Sequence, residues 1–185
     1  MSAEGTRILG VDPGTIITGY GVIDAQGSAL RHVASGVISP GRDAAMPERL
    51  AHIHRGIEEL IGRYRPHVLA VEEAFYGENP KTAIKLGQAR GVVLVLGALH
   101  DLVVAEYSPR FVKQAIVGVG AATKEQVQYM VARILSLADP PEPADAADAL
   151  AVAICHVLRP REVEPGRQSR GLTKAQRQLR EHGIL

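Results

Sequence analysis

The sequence predicts a single α/β domain, and three observations carry that reading. Three short apolar runs near the N-terminus are separated only by turn residues, as in an antiparallel meander. Two further apolar runs are each followed by a segment of helical periodicity. The resulting order, β-β-β-α-β-α-β-α-α-α, contains no repeat and no internal linker.

Each element has its own signal. Arg7 to Val11 is apolar, and Thr18 to Ala25 and Leu30 to Ile38 alternate apolar with small residues. Pro13-Gly14 and Gln26-Gly27-Ser28 supply the turns between them. From Met46 to Tyr64 the positions Leu50, Ile53, Ile57, Leu60 and Ile61 keep a helical spacing that Pro66 closes. HVLAVEEAF reads as a buried strand that ends in two carboxylates. Thr82 to Leu99 is a long helix, polar and basic in its first half and apolar in its second. Leu102 to Ser108 is a fifth strand, and PRFVKQAIV opens a short helix with Pro109 in its first turn. TKEQVQYMVARILSL and ADAADALAVAICHVL are the last two helices. The domain is expected over 1–158, and 159–185 reads as a flexible basic tail.

Composition narrows the class further. At 185 residues the chain is long enough for one well-buried domain, and a second is not expected. The lone Cys155 excludes an intrachain disulfide or a multi-cysteine metal site, and suits a reducing cytosol. No zinc-like spacing links the histidines. The apolar run Gly91 to Leu99 is about half the ~20 residues of a membrane span, so a cytoplasmic protein is expected. The overall charge of +1 is uneven: seven Lys/Arg against three Glu give the tail +4, which leaves the body at −3. A basic tail on a slightly acidic body suits contact with nucleic acid, and equally suits a solvated tail.

Asp12, the pair Glu72 and Glu73, Asp145 and Asp148 stand where carboxylates are normally avoided. Each has an ordinary explanation taken alone. DPGT is a good turn, Asp145 and Asp148 can cap a helix, and one Glu can face solvent. The combination is harder to explain. Strands one and four commonly lie side by side, so Asp12 and one Glu can meet. The i, i+3 spacing puts Asp145 and Asp148 on one helix face. Converging carboxylates repel unless a cation holds them, and oxygen-only ligands favour Mg²⁺ or Mn²⁺.

The segments ILGVDPGTIITGYGVID, VLAVEEAFYGENPKTAIKLGQARGVVL, YSPRFVKQAIVGVGAATKEQVQYMV and DAADALAVAICH together resemble the RuvC Holliday-junction resolvases. The likeness runs from Ile8 to Leu158; DPG alone is weak, whereas LGQARG and DAADALA in this order are specific. It implies an RNase H-like α/β fold, a five-stranded mixed sheet flanked by helices on both faces, with the first three strands antiparallel. It implies a homodimer that resolves four-way DNA junctions by paired, symmetric nicks in recombination and repair. The ends would be 5′-phosphate and 3′-hydroxyl, with two Mg²⁺ or Mn²⁺ ions per active site. Carried over residue by residue, the acidic site falls on Asp12, Glu72, Asp145 and Asp148, and the resemblance chooses Glu72 over Glu73. Some members carry histidine at the position of Asp145. Lys113 and Lys124 match the basic residues near the scissile phosphate. A partner complex for branch migration, of the RuvA and RuvB type, is expected from the resemblance alone.

Phe75 matches an aromatic that contacts unpaired bases at the crossover, and the adjacent Tyr76 can share that role. Lys81, Lys85 and Arg90 on the polar half of the long helix are candidate DNA contacts. Nicking two strands of like polarity needs two sites on a two-fold axis, and Val92, Val93, Val95 and Leu96 are candidates for that interface or for monomer core. Two alternatives are weighed. An actin-type ATPase shares the Asp-x-Gly-Thr loop but needs two domains. A catalytically silent nucleic-acid-binding relative would not need all four carboxylates.

Overall fold

The computed structural model describes residues 5–73 and 80–159. The elements are β1 (Thr6–Asp12), β2 (Thr18–Gln26), β3 (Ala29–Ile38), α1 (Met46–Tyr64), β4 (Val68–Glu72), α2 (Pro80–Leu99), β5 (Val103–Tyr107), α3 (Pro109–Val117), α4 (Lys124–Ile134) and α5 (Ala144–Leu158). They form one sheet of order β3-β2-β1-β4-β5. β1 runs antiparallel to β2 and parallel to β4, and β4 runs parallel to β5, so the sheet is mixed as expected.

Strand alternation divides the side chains between two cores. Leu9, Val11, Val22, Leu69 and Val71 pack with Ile53, Ile57, Val93 and Leu96 under α1 and α2. Ile8, Ile23, Val68 and Ala70 face the other way and pack with α3, α4 and α5. Gly10 and Asp12 share the face of Ile8, and Glu72 shares that of Val68 and Ala70. Both acids thus leave their strands on the side covered by α5.

α5 is buried nearly all round by small residues, from Ala146 through Cys155. It lies unusually close to β1 and β2 because the strands carry glycine beneath it. A Cβ at Gly19 would stand 2.0 Å from the carbonyl oxygen of Asp145, and one at Gly10 would stand 2.2 Å from that of Ala149. The opposite end of the sheet is tied by charge. Asp24 on β2 pairs with Arg7 on β1 at 2.7 Å and with Arg31 on β3 at 2.5 Å, and Arg7 Nη1 donates to the Tyr64 carbonyl. The Arg7 guanidinium, with Arg31, holds the Asp24 carboxyl below its ordinary range.

Two local expectations are corrected, and one ordinary explanation of an acidic pair is removed. The β1–β2 connection is a five-residue loop rather than a tight Pro13-Gly14 turn, because the buried Thr18 hydroxyl closes it by donating to the Gly14 carbonyl at 2.7 Å. α5 has Pro143 at its N-cap, so Asp145 and Asp148 are its second and fifth residues and cap nothing. α4 stops at Ile134, before the predicted Leu137, and Ser136 adopts a left-handed conformation beyond it. α2 is long and apolar enough by composition to cross a membrane, yet it packs on α1, β4 and β5.

The approach of α5 gives a direct prediction. Gly19→Ala forces the first turn of α5 away from the sheet and costs ~1–3 kcal/mol, seen as a Tm lower by several degrees. Gly62→Ala, at an exposed α1 position where the new Cβ meets nothing, leaves Tm unchanged or raises it by the helix-propensity gain of up to ~1 kcal/mol. Equal thermal shifts for the two variants would contradict the packing account.

Candidate active site

Asp12 is the last residue of β1 and Glu72 the last of β4. The parallel register pairs Val11 with Val71, so the two acids stand side by side at the strand ends. Glu72 is half-buried there, whereas Glu73 is exposed and its N–H donates to the Tyr107 carbonyl at 2.8 Å. Strand alternation therefore selects Glu72 over Glu73 independently of any resemblance.

The other two acids arrive from across the sheet. Gly19 is paired with Asp12, and the Asp145 carbonyl lies directly against Gly19. The N-terminal turns of α5 thus rest beside the strand end that carries Asp12. Asp148, further along α5, accepts an ion pair from Lys124 Nζ at 2.7 Å. Lys124 is the first residue of α4, fixed by a capping box in which Thr123 and Gln126 exchange hydrogen bonds. Lys113 on α3 completes this side, and its charge acts on Asp148.

The electrostatics confirm how close the acids are. Burial pushes the Asp12 carboxyl up, the hydrogen bond to Glu72 opposes that, and Asp148 and Asp145 add to the rise. Burial and the neighbouring Asp12 charge push Glu72 up to about 8, so near neutrality it is protonated and bonded to Asp12. Burial raises Asp148 too, against the pull of Lys124. One proton and one lysine thus relieve the repulsion within the cluster.

Those pairings decide what the carboxylates do next. Among the described residues, no three His, Cys, Asp or Glu side chains stand in ligating geometry. The oxygens that would ligate a cation are already engaged, Asp12 with Glu72 and Asp148 with Lys124. The donor set is nonetheless all oxygen and short of positive charge, which suits a hard divalent ion in place of the proton.

Two clefts open here, and Glu72 lines both. One of about 160 Å³ holds Lys113, Lys124 and Asp148. The other, about 180 Å³, runs from Asp12 to Arg90 on α2. A wider cleft of about 550 Å³ lies at the Asp24 end of the sheet and contains none of these acids.

The candidate DNA contacts fall unevenly. Lys81 and Lys85 lie exposed on the first turns of α2. Arg90 does not sit on that open face: it is half-buried in an ion pair with Glu106 of β5. Phe75 and Tyr76 lie outside the described residues. Of the apolar positions on α2, Val93 and Leu96 are core, whereas Val95 and Leu99 are 56% and 70% exposed. Glu106 was not among the sequence candidates, although a carboxylate inside the apolar run LVVAEYS was its signal.

The raised Glu72 carboxyl fixes a pH dependence. In metal-free protein the folded state keeps a proton between about pH 4.5 and about 8 that the unfolded chain has lost. This contribution is fully present below that window and is lost as pH rises through about 8. Stability should fall across the window for the wild type, and Glu72→Gln should flatten the fall. Denaturant midpoints measured across the window check this; parallel declines would contradict it.

Comparison with known proteins identifies the family. Residues 8–156 match the family model for crossover junction endodeoxyribonuclease RuvC. A relative of that name from Chromohalobacter salexigens is 49% identical over 181 residues, covering 96% of each chain. Another, from Azoarcus sp., is 55% identical over 160 residues, covering 84% of this chain and 86% of its own. The structure of Thermus thermophilus RuvC in complex with a Holliday junction substrate superposes with a TM-score of 0.78 at 37% identity, covering 83% of this chain and 93% of that one. With its RNase H-like sheet and its acidic strand ends, this chain belongs to the RuvC family of crossover junction endodeoxyribonucleases.

Proposed function

We propose that this protein resolves four-way DNA junctions by paired, symmetric nicks that leave 5′-phosphate and 3′-hydroxyl ends. One observation carries the reading. Asp12, Glu72 and the Asp145–Asp148 helix reach one sheet end from three separate elements, with Lys124 and Lys113 beside them. Family membership supplies the substrate class, since the superposed Thermus protein was solved with a Holliday junction.

Asp12, Glu72, Asp145 and Asp148 would hold the cations, two Mg²⁺ or Mn²⁺ ions per site. Such ions supply activation of the attacking water and neutralisation of charge on the leaving oxygen. Lys124 and Lys113 draw the scissile phosphate against the carboxylates and offset its developing charge. Asp148, now paired with Lys124, would be one of the residues holding a cation, and Lys124 would then be free to meet the phosphate. Lys81 and Lys85 carry the neighbouring duplex electrostatically, and Phe75 with Tyr76 contacts the unpaired bases at the crossover. Residues 1–158 form the nuclease domain, and 159–185 is a basic tail beyond it. An actin-type ATPase is not supported, because the described residues form one five-stranded sheet inside the RuvC match.

Paired nicks require two sites related by a two-fold axis, so the working unit is a homodimer. Ile84, Val95 and Leu99 on α2 expose the apolar surface that a second copy would cover. A cytoplasmic location and cooperation with a RuvA- and RuvB-type branch-migration complex follow from the family alone.

A mobile synthetic junction tests the activity. With Mg²⁺ or Mn²⁺ the wild type should give paired nicks with 5′-phosphates, and Asp12→Asn should bind the junction while cleaving at least ~100-fold more slowly. Binding without any cleavage by the wild type would favour a silent relative. Val95→Asp combined with Leu99→Asp should turn a dimer into a monomer in sedimentation and abolish paired nicking. A dimer that survives both substitutions would place the interface elsewhere.

A further inference from the structure

Arg90 is the one cation that lines the second cleft among the described residues; Asp12, Pro13, Glu72 and Glu73 form its near side. Its guanidinium is fixed from behind. Nη2 is ion-paired with Glu106 Oε2, and Glu106 is paired in register with Val71, one residue before Glu72. The Nε–H is buried and has no hydrogen-bond partner. Buried donors are nearly always satisfied, so an unpartnered one on a residue that lines a cleft calls for an explanation. The guanidinium carries five N–H donors in a rigid fork, so one edge can serve Glu106 while another serves a ligand.

The charge pattern says which ligand. Lys124 is the cation whose charge acts on Asp12 and Glu72, and Lys113 and Lys124 act on Asp148. Arg90 instead stands across from Asp12, Glu72 and Glu73 in a cleft of about 180 Å³, the volume of roughly six water molecules, which is room for a phosphodiester group. Glu72 lines both clefts, so the cleft that holds Arg90 adjoins the one that holds Lys113 and Lys124. We infer that Arg90, braced by Glu106, forms a second phosphate subsite that takes a non-bridging oxygen of the phosphodiester flanking the one that is cut. The inference rests on the junction-nuclease reading and assigns Arg90 a positioning role in the cleft rather than a general DNA contact on the helix surface. Lysine cannot replace it, because a point charge cannot bind Glu106 and a phosphate in two fixed directions.

The test uses the full chain, Arg90→Lys, and junctions carrying a neutral methylphosphonate at the flanking position. Single-turnover cleavage is followed at saturating protein, with junction binding and Tm measured alongside. Arg90→Lys should keep its Tm, bind the unmodified junction within about threefold of wild type, and cleave about 10- to 100-fold more slowly. The methylphosphonate should slow the wild type by a similar factor and slow Arg90→Lys little further, since both changes remove one contact. Multiplicative slowing, unchanged cleavage by Arg90→Lys, or full-rate wild-type cleavage of the methylphosphonate junction would each overturn the subsite. Wild-type cleavage of the unmodified junction, run in parallel, separately tests the nuclease reading.

Discussion

The catalytic end of this protein depends on how closely α5 lies on β1 and β2. Gly10 and Gly19 leave no side chain beneath the helix, and the helix answers with Ala149 and Ala153. The packing follows close contact more than hydrophobic bulk, since alanine and glycine bury little area each but let backbones approach. That approach places Asp145 beside Gly19, and Gly19 is the register partner of Asp12. A larger residue at either glycine would lift the helix and take two carboxylates away from the other two.

The cluster so formed is under electrostatic tension. Asp12 and Glu72 share a proton, and Asp148 leans on Lys124. Neither arrangement serves stability for its own sake, because buried acids that need a proton to coexist weaken a fold as pH rises. On the proposed reading, their use is to receive positive charge from outside. Asp24 with Arg7 and Arg31 closes the opposite end of the sheet, where the carboxyl is held below its ordinary range.

Much of the fold was legible because its signals are local. The periodicity of Leu50, Ile53, Ile57, Leu60 and Ile61 fixed α1 to the residue, and the alanine-rich run fixed α5. The acids were legible as acids out of place. Their convergence was not, because it follows from a register between β1 and β4 some 60 positions apart and from a helix settling on two glycines. The Pro13-Gly14 turn was misread because the hydroxyl of Thr18, four residues on, closes a longer loop. The pairing of Arg90 with Glu106 was not legible, because nothing local announces a partner on another strand.

The central claim is that four carboxylates gathered by α5 hold the divalent cations of a nuclease. Anomalous diffraction from crystals grown with Mn²⁺ tests it most directly. The account predicts peaks bounded by Asp12, Glu72, Asp145 and Asp148, with Lys124 released from Asp148. Manganese bound elsewhere, or a Lys124–Asp148 pair intact beside an ion-free cluster at saturating Mn²⁺, would contradict it.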